Sequence, residues 1–435
     1  MTETGEDETD LPPWKSFQFQ NHSLKIAVSN VAACVGFHPF KSLPQLAFEQ
    51  VYQGSMGQDL LEHDAELLGI QLESDPNKLL LDIAQQAGKS TKEALKTALK
   101  VKTGEEELAN VEQVKTLCQK VVQSAKESKK LTQHQIKQLE QGVSETVNTG
   151  FGTYWENQAL DQYEKSCGWK VRQRNEELRI WRFSKTKDST SVIPMGPAFN
   201  FESLVEIFEK EKLDCDDEET NSAKESKPDC EQPKRKKLKR ERSFFNLRGS
   251  IDGIRDELAP NPSSTTSPDD DDSWILRQVI VECKHRINTL KDSPPLYEMI
   301  QTIAYCQMYD VQEADVVQVL RRERPQLQKQ HNKKARESQN NQDIKINRVS
   351  LKDPFFQHEA NWNSIVLPRL RSWVEAIYNI RASDDKRYRL LSLLSSSATE
   401  KDGSLFYQEQ KDAWNLLFEE CPWLVGCDTL YQREF

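Results

Sequence analysis

Val279, Ile280 and Val281 stand in a row, and Glu282, Cys283 and Lys284 follow them directly. Consecutive β-branched residues favour a strand, and an unbroken apolar run needs cover on both of its faces. Such a strand is expected inside a sheet, buried on both sides. Alternate residues of a strand share a face. Glu282 and Lys284 therefore project together, with Cys283 on the opposite side. A carboxylate and an ammonium at the end of a buried strand are costly unless something compensates. A metal ion and a phosphate would do so. The pattern Glu-x-Lys occurs four times, at 127–129, 225–227, 282–284 and 409–411, and only the copy at 282 ends an apolar run. Taken alone, that copy also reads as a plain strand-end ion pair.

Its surroundings favour chemistry. Arg248-Gly-Ser-Ile-Asp-Gly-Ile254 places Asp252 on the preceding strand. Two strands joined by a loop form a hairpin, so Asp252 can face Glu282 across the pair. Opposed carboxylates repel unless a cation lies between them, and hard oxygen ligands suit Mg²⁺ or Mn²⁺. Glu156, on a helix that Gly150 and Gly152 are expected to open, offers a further carboxylate for a second metal or for a water. Gln301 and Tyr305 are four apart, so one helix face carries both toward the same site.

The 435 residues are enough for one large domain with insertions or for two domains. With 36% hydrophobic and 29% charged residues, a core is possible beside a large polar remainder. The expected organisation is an acidic disordered tail at 1–22 and a first core piece at 23–60. A helical insertion of two or three amphipathic helices follows at 61–147, then a core piece with the Glu156 helix and strands at 148–202. A disordered charged linker spans 203–246. The metal-site strands, the Gln301/Tyr305 helix and an amphipathic closing helix at 361–380 occupy 247–380. A helical extension completes the chain at 381–435, with Trp414 and Trp423 docking on the core or meeting a protein partner.

The net charge is −10, so any nucleic-acid site has to be a local basic groove. Seven of the nine residues from Lys234 to Arg242 are basic. Lys234, Arg235, Lys236, Lys237, Lys239 and Arg240 read as a nuclear localisation signal or as a nucleic-acid tether. The nine cysteines include no C-x-x-C pair, and with no apolar signal segment a reducing compartment, nucleus or cytoplasm, is expected. No apolar stretch approaches the roughly 20 residues needed to cross a bilayer, so no membrane partner is expected.

The order Glu156 helix, Asp252 strand, Glu282-x-Lys284 strand, Gln301/Tyr305 helix resembles the PD-(D/E)XK nuclease core, in its branch with a Gln-x-x-x-Tyr helix. Ala27-Val-Ser-Asn-Val-Ala-Ala-Cys-Val-Gly-Phe-His-Pro-Phe-Lys-Ser42 and Gly152-Thr-Tyr-Trp-Glu-Asn-Gln-Ala159 resemble two segments of the YqaJ viral recombinase and phage lambda exonuclease-like nucleases. The resemblance covers roughly 24–60, 150–183 and 247–380. It lacks a counterpart for the first Asp of some members' motif, and 61–147 and 203–246 are insertions against compact phage members.

The resemblance implies a restriction-endonuclease-like fold, with a central mixed β-sheet flanked by helices. It implies a Mg²⁺-dependent deoxyribonuclease working in DNA repair or recombination, with an inactive DNA- or partner-binding module as the alternative. Asp252, Glu282 and the main-chain carbonyl of Cys283 would hold the metal, and Glu156 a second one. Lys284 would act on the attacking water or the phosphate, and Gln301 and Tyr305 would position it. Ser29, Ser250 and Arg286 would take a 5′-phosphate, which implies an end-directed exonuclease. Such relatives form closed rings, so a homo-oligomer is also implied, although no ring signature is visible.

Overall fold

The computed structural model describes residues 23–70, 72, 76–100, 111–185, 190–195, 243–261, 274–286, 289–320, 344–395 and 403–429. The acidic tail, the basic run Lys234–Arg242 and most of the charged linker expected at 203–246 lie outside them. Helices and two mixed sheets make a mixed α/β fold.

The strands are β1 (Leu24–Ala27), β2 (Val171–Arg172), β3 (Leu178–Phe183), β4 (Thr190–Met195), β5 (Phe245–Ser250), β6 (Gly253–Pro260), β7 (Trp274–Arg286), β8 (Glu313–Leu320) and β9 (Ile344–Ser350). The expectation of one central sheet is corrected. One sheet has the order β1-β5-β3-β4 and the other β2-β6-β7-β8-β9. The physical reason lies at Ile251 and Asp252, where the path from β5 to β6 leaves the first sheet for the second. Within the first sheet β1 runs parallel to β5, while β3 is antiparallel to both β5 and β4. Within the second, β6 and β7 form the expected antiparallel pair, with Gly253 opposite Val281. β8 then returns parallel to β7.

The run at 279–281 is covered on both faces, as its composition demands. Ile280 joins the main core, together with Ile300, Ile303 and Ala304 of a helix α8 (Leu296–Tyr309). Val281 and Cys283 face the other way, against Ala159, Leu160 and Tyr163 of α7 (Gln133–Cys167).

The helices before α7 are α1 (Val31–Cys34), α2 (Leu43–Val51), α3 (Ser55–Leu68), α4 (Pro76–Ala87), α5 (Lys89–Lys100) and α6 (Val111–Ser128). Two expected boundaries move. α3 spans the limit at 60/61, because Leu60 and Leu61 pack into the main core and Arg387 pairs with buried Asp64. The limit at 147/148 falls inside α7, a continuous helix of 35 residues. Gly150 and Gly152 do not open it. Thr132 does, through a reciprocal cap in which the Gln135 amide donates to its hydroxyl at 3.2 Å and its own amide donates to Gln135 Oε1 at 3.0 Å. α4 to α6 and the first half of α7 enclose a separate small core that includes Leu80, Ile83, Leu95, Val121, Leu139 and Val143. The insertion is thus four helices, not two or three, and its last helix carries on to Cys167.

After α8 come α9 (Pro354–Gln357), α10 (Leu367–Arg381), α11 (Asp384–Ser395) and α12 (Gly403–Glu420). The closing helix was expected over 361–380. Its regular part begins only at Leu367, because Pro368 cannot donate a helix hydrogen bond and suits the first turn. A wide turn at Trp362–Val366 precedes it. Trp414 is only 1% exposed within the main core, so it docks inward and is no surface for a protein partner. No helix among the described residues is long and apolar enough to cross a membrane.

Candidate active site

β6 begins opposite Val281, so β7 runs on past it without a partner on that flank. Asp252, the residue before β6, takes up the exposed edge. Its carboxylate accepts the Cys283 amide at 2.5 Å. A strand residue sends its N–H and its C=O to the same flank, so the Cys283 carbonyl also faces the Asp252 side. Gly253 makes this junction possible. A Cβ there would stand 2.2 Å from Val171 Cγ1, which would push β2 off the sheet.

Glu282 and Lys284 project on the face covered by α8. Lys284 Nζ lies 2.9 Å from Glu282 Oε1 and 3.3 Å from Gln301 Oε1. Gln301 also donates to Glu282 Oε1, at 3.0 Å. Gln301 thus bridges the pair, using both ends of its amide. Tyr305, one turn on, is almost fully buried beneath it. Gly249 makes room for that ring, since a Cβ there would meet Tyr305 Cε1 at 2.7 Å.

The charges are far from their ordinary state. Burial first, then the neighbouring Glu282 and Glu156, push the Asp252 carboxyl well above the usual range. Burial also raises Glu282, against the pull of Lys284. Burial would lower Lys284, but Glu282 outweighs it and holds the ammonium protonated above its ordinary value. Burial and Glu282 raise the Tyr305 phenol. Glu156 stands within reach of Asp252. Seven residues on, Tyr163 fixes the same face of α7 by donating to buried Asp315.

Among the described residues, Glu282 Oε2 is buried and has no hydrogen-bond partner. A buried carboxylate oxygen of that kind is expensive, and a cation would satisfy it. Asp252, Glu156 and Glu282 lie near enough to feel one another's charge, and hard carboxylate oxygens are the donors that Mg²⁺ or Mn²⁺ takes. Among the described residues no group of three or more His, Cys, Asp and Glu side chains has the spacing of a ready-made metal cage. Here Lys284 and the Cys283 amide already hold one oxygen each of Glu282 and Asp252.

The remaining expected residues divide. Ala27 pairs with Arg248, and Val28 Cγ2 stands 3.1 Å from where a Gly249 Cβ would be. Ser29 and Ser250 therefore follow at the same end of the paired strands. Arg286 does not stand ready for a phosphate. Its Nη1 and Nη2 grip Glu298 at 2.6 and 2.5 Å, and its Nε donates to Gln318 Oε1 at 2.8 Å. Glu298 and Gln318 are buried residues that sequence reasoning missed. Glu298 was within reach of it, lying three residues before Gln301 on the same helix. Gln318 gave no signal beyond a polar residue inside an apolar strand. No protein-family model, curated protein or solved structure matches the chain.

Proposed function

We propose that the protein is a divalent-metal-dependent deoxyribonuclease of the PD-(D/E)XK type that hydrolyses DNA from an end. The observation that carries the reading is the unsatisfied Glu282 Oε2, buried beside a protonated Lys284 and two further carboxylates. A stabilising ion pair has no use for that excess of negative charge, whereas a metal site does. The order of elements supports the same reading, with Glu156 on a helix, Asp252 not on a strand as expected but in the bend just before β6, Glu282-x-Lys284 on β7, and Gln301 and Tyr305 on the covering helix. So does the mixed sheet with a helix on each face of β7.

Asp252, Glu282, Glu156 and the Cys283 carbonyl would hold the ion. A bound divalent ion lowers the pKa of water and offsets phosphate charge. Glu282 favours the protonated form of Lys284, which suits it to donate to a phosphate oxygen as negative charge builds there. Gln301 fixes the direction of that donor through its contacts to both Lys284 and Glu282. Burial of the group excludes water that would weaken the interaction. Ser29 and Ser250 offer hydroxyls for a terminal phosphate, and the cation for that phosphate has to be something other than an undisturbed Arg286.

The test is degradation of linear duplex DNA labelled at one end, with Mg²⁺ or Mn²⁺ and with EDTA. Metal-dependent release of label from linear DNA, with a covalently closed circle left intact, is the expected result. Cutting of the circle would remove the end-directed part. No cleavage of DNA under any condition, with DNA still bound, would point to a binding module.

A further inference from the structure

A loop packs against the start of α8, the helix that carries Gln301 and Tyr305. It is Phe37-His38-Pro39-Phe40-Lys41, which follows the buried helix α1. Phe37 packs inward against Arg369, whose guanidinium stands 5.3 Å from the ring centre. Lys41 ties the far end of the loop to Asn30 Oδ1 at 2.7 Å, next to Ser29. Between these anchors the His38 ring lies against Tyr297, with centroids 4.4 Å apart and planes tilted by 35°. Phe40 is 61% exposed.

Tyr297 connects the loop to the chemistry. It is the first of three residues spaced four apart on α8, the others being Gln301 and Tyr305, so all three share a face. Burial and Glu298, more than Arg286 and Lys284, act on its phenol. The His38–Tyr297 contact and the Lys41–Asn30 bond thus tie the loop to the start of α8 and to the turn that carries Ser29.

An exposed Phe40 ring and a half-buried His38–Tyr297 pair beside a lysine, next to the helix that carries Gln301, match the needs of an unpaired nucleotide. Every base has a flat face that stacks on aromatic side chains, and a cation steadies the backbone beside it. We propose that His38, Phe40 and Tyr297 form a stacking platform for the unpaired bases of a single-stranded DNA end, with Lys41 holding the adjacent phosphate. The proposal rests on the nuclease reading and adds the form of substrate to it, a frayed or single-stranded end in preference to a blunt duplex. Tyr297 acts here as a specificity residue.

The experiment measures binding in EDTA, where hydrolysis is held off. The probes are a fluorescent single-stranded octathymidylate and a blunt hairpin duplex. Wild type is compared with Phe40→Ala, Tyr297→Ala and the ring-preserving Phe40→Trp and Tyr297→Phe. Phe40 is exposed, so its alanine variant tests the idea even if Tyr297→Ala fails to fold. Loss of one stacked base predicts roughly 5- to 100-fold weaker binding of the single strand by the alanine variants. Duplex binding should stay within about twofold, and the ring-preserving variants should bind the single strand as wild type does. Unchanged single-strand affinity in Phe40→Ala, with cleavage of linear DNA retained, overturns the platform and leaves the nuclease standing. Equal losses on both probes also overturn it, since stacking would spare the duplex. A wild type that neither binds nor cuts DNA removes the nuclease reading together with the platform.

Discussion

Glu282 holds Lys284 and Gln301 with one oxygen and leaves the other buried without a partner among the described residues. Burial first, then the negative charge of Glu282 and Glu156, raises the Asp252 carboxyl. A cation that satisfies both binds the folded chain and not the unfolded one, so it stabilises by mass action. At 100 times its Kd, Mn²⁺ should add about 2.7 kcal/mol to the unfolding free energy of the wild type. Asp252→Asn should abolish most of that gain while leaving the metal-free protein folded, which thermal unfolding with and without Mn²⁺ reads directly. An equal shift in both proteins would place the ion elsewhere. The glycines around the site answer to the same contacts. Gly253→Ala, with its Cβ 2.2 Å from Val171, should cost about 1–3 kcal/mol by overpacking. Denaturant unfolding checks it, and a change within experimental error would mean that β2 gives way freely.

Among the elements, α7 and the second sheet are joined by charge rather than by apolar contact alone. Tyr163 donates to Asp315, which also receives Arg255 Nε at 3.1 Å. Tyr163→Phe removes that hydrogen bond and leaves a buried carboxylate short of a donor, a loss of about 1–3 kcal/mol. It should also lower cleavage more than it lowers DNA affinity, because Glu156 rides on the same face of α7; equal effects on both would limit Tyr163 to stability. Next to it, burial would raise the Glu257 carboxyl, yet Arg348, Arg277 and Arg255 together hold it at about 2. Its folded pKa is below its unfolded value, so its stabilising share is full above about pH 4.5 and is lost as pH falls toward 2. Glu257→Gln should flatten the acid limb of the stability profile over that window, and an unchanged limb would assign acid unfolding to other carboxylates. The β6–β7 pair, the covering helix at 296–309 and the shared face of Glu282 and Lys284 were legible because period-two and period-3.6 patterns are local. The split into two sheets was not, since nothing in Ser250-Ile-Asp-Gly253 announces a change of partner. Nor was the continuity of α7, because its cap at Thr132 and Gln135 outweighs two glycines that read as a helix opening.

At the scale of the whole molecule, α7 joins two small apolar clusters, one inside the insertion and one against the second sheet, while the main core contains none of its residues. The insertion of α4 to α6 keeps its own apolar cluster, yet α7 passes from that cluster to Tyr163 and the second sheet. The chain's acidic total of −10 is compatible with a DNA site only if cations gather locally. Lys284 and Arg286 are already paired with Glu282 and Glu298, which leaves Lys41 as the cation of the Phe37–Lys41 loop, while the basic run at Lys234–Arg242 lies outside the described residues. Salt should therefore weaken DNA binding with a shallow slope, set by few phosphate contacts, which a titration of binding against salt would measure. A slope near ten would contradict so small a cationic patch. The central claim concerns one ammonium beside one strained carboxylate. Its most direct test is single-turnover cleavage of end-labelled linear DNA with Mg²⁺ by the wild type and by Lys284→Ala, each checked for folding. The account predicts metal-dependent cleavage by the wild type and a fall of roughly 10²- to 10⁴-fold in the variant. Equal rates in the two proteins would contradict it, because the cleavage would then belong to some other site.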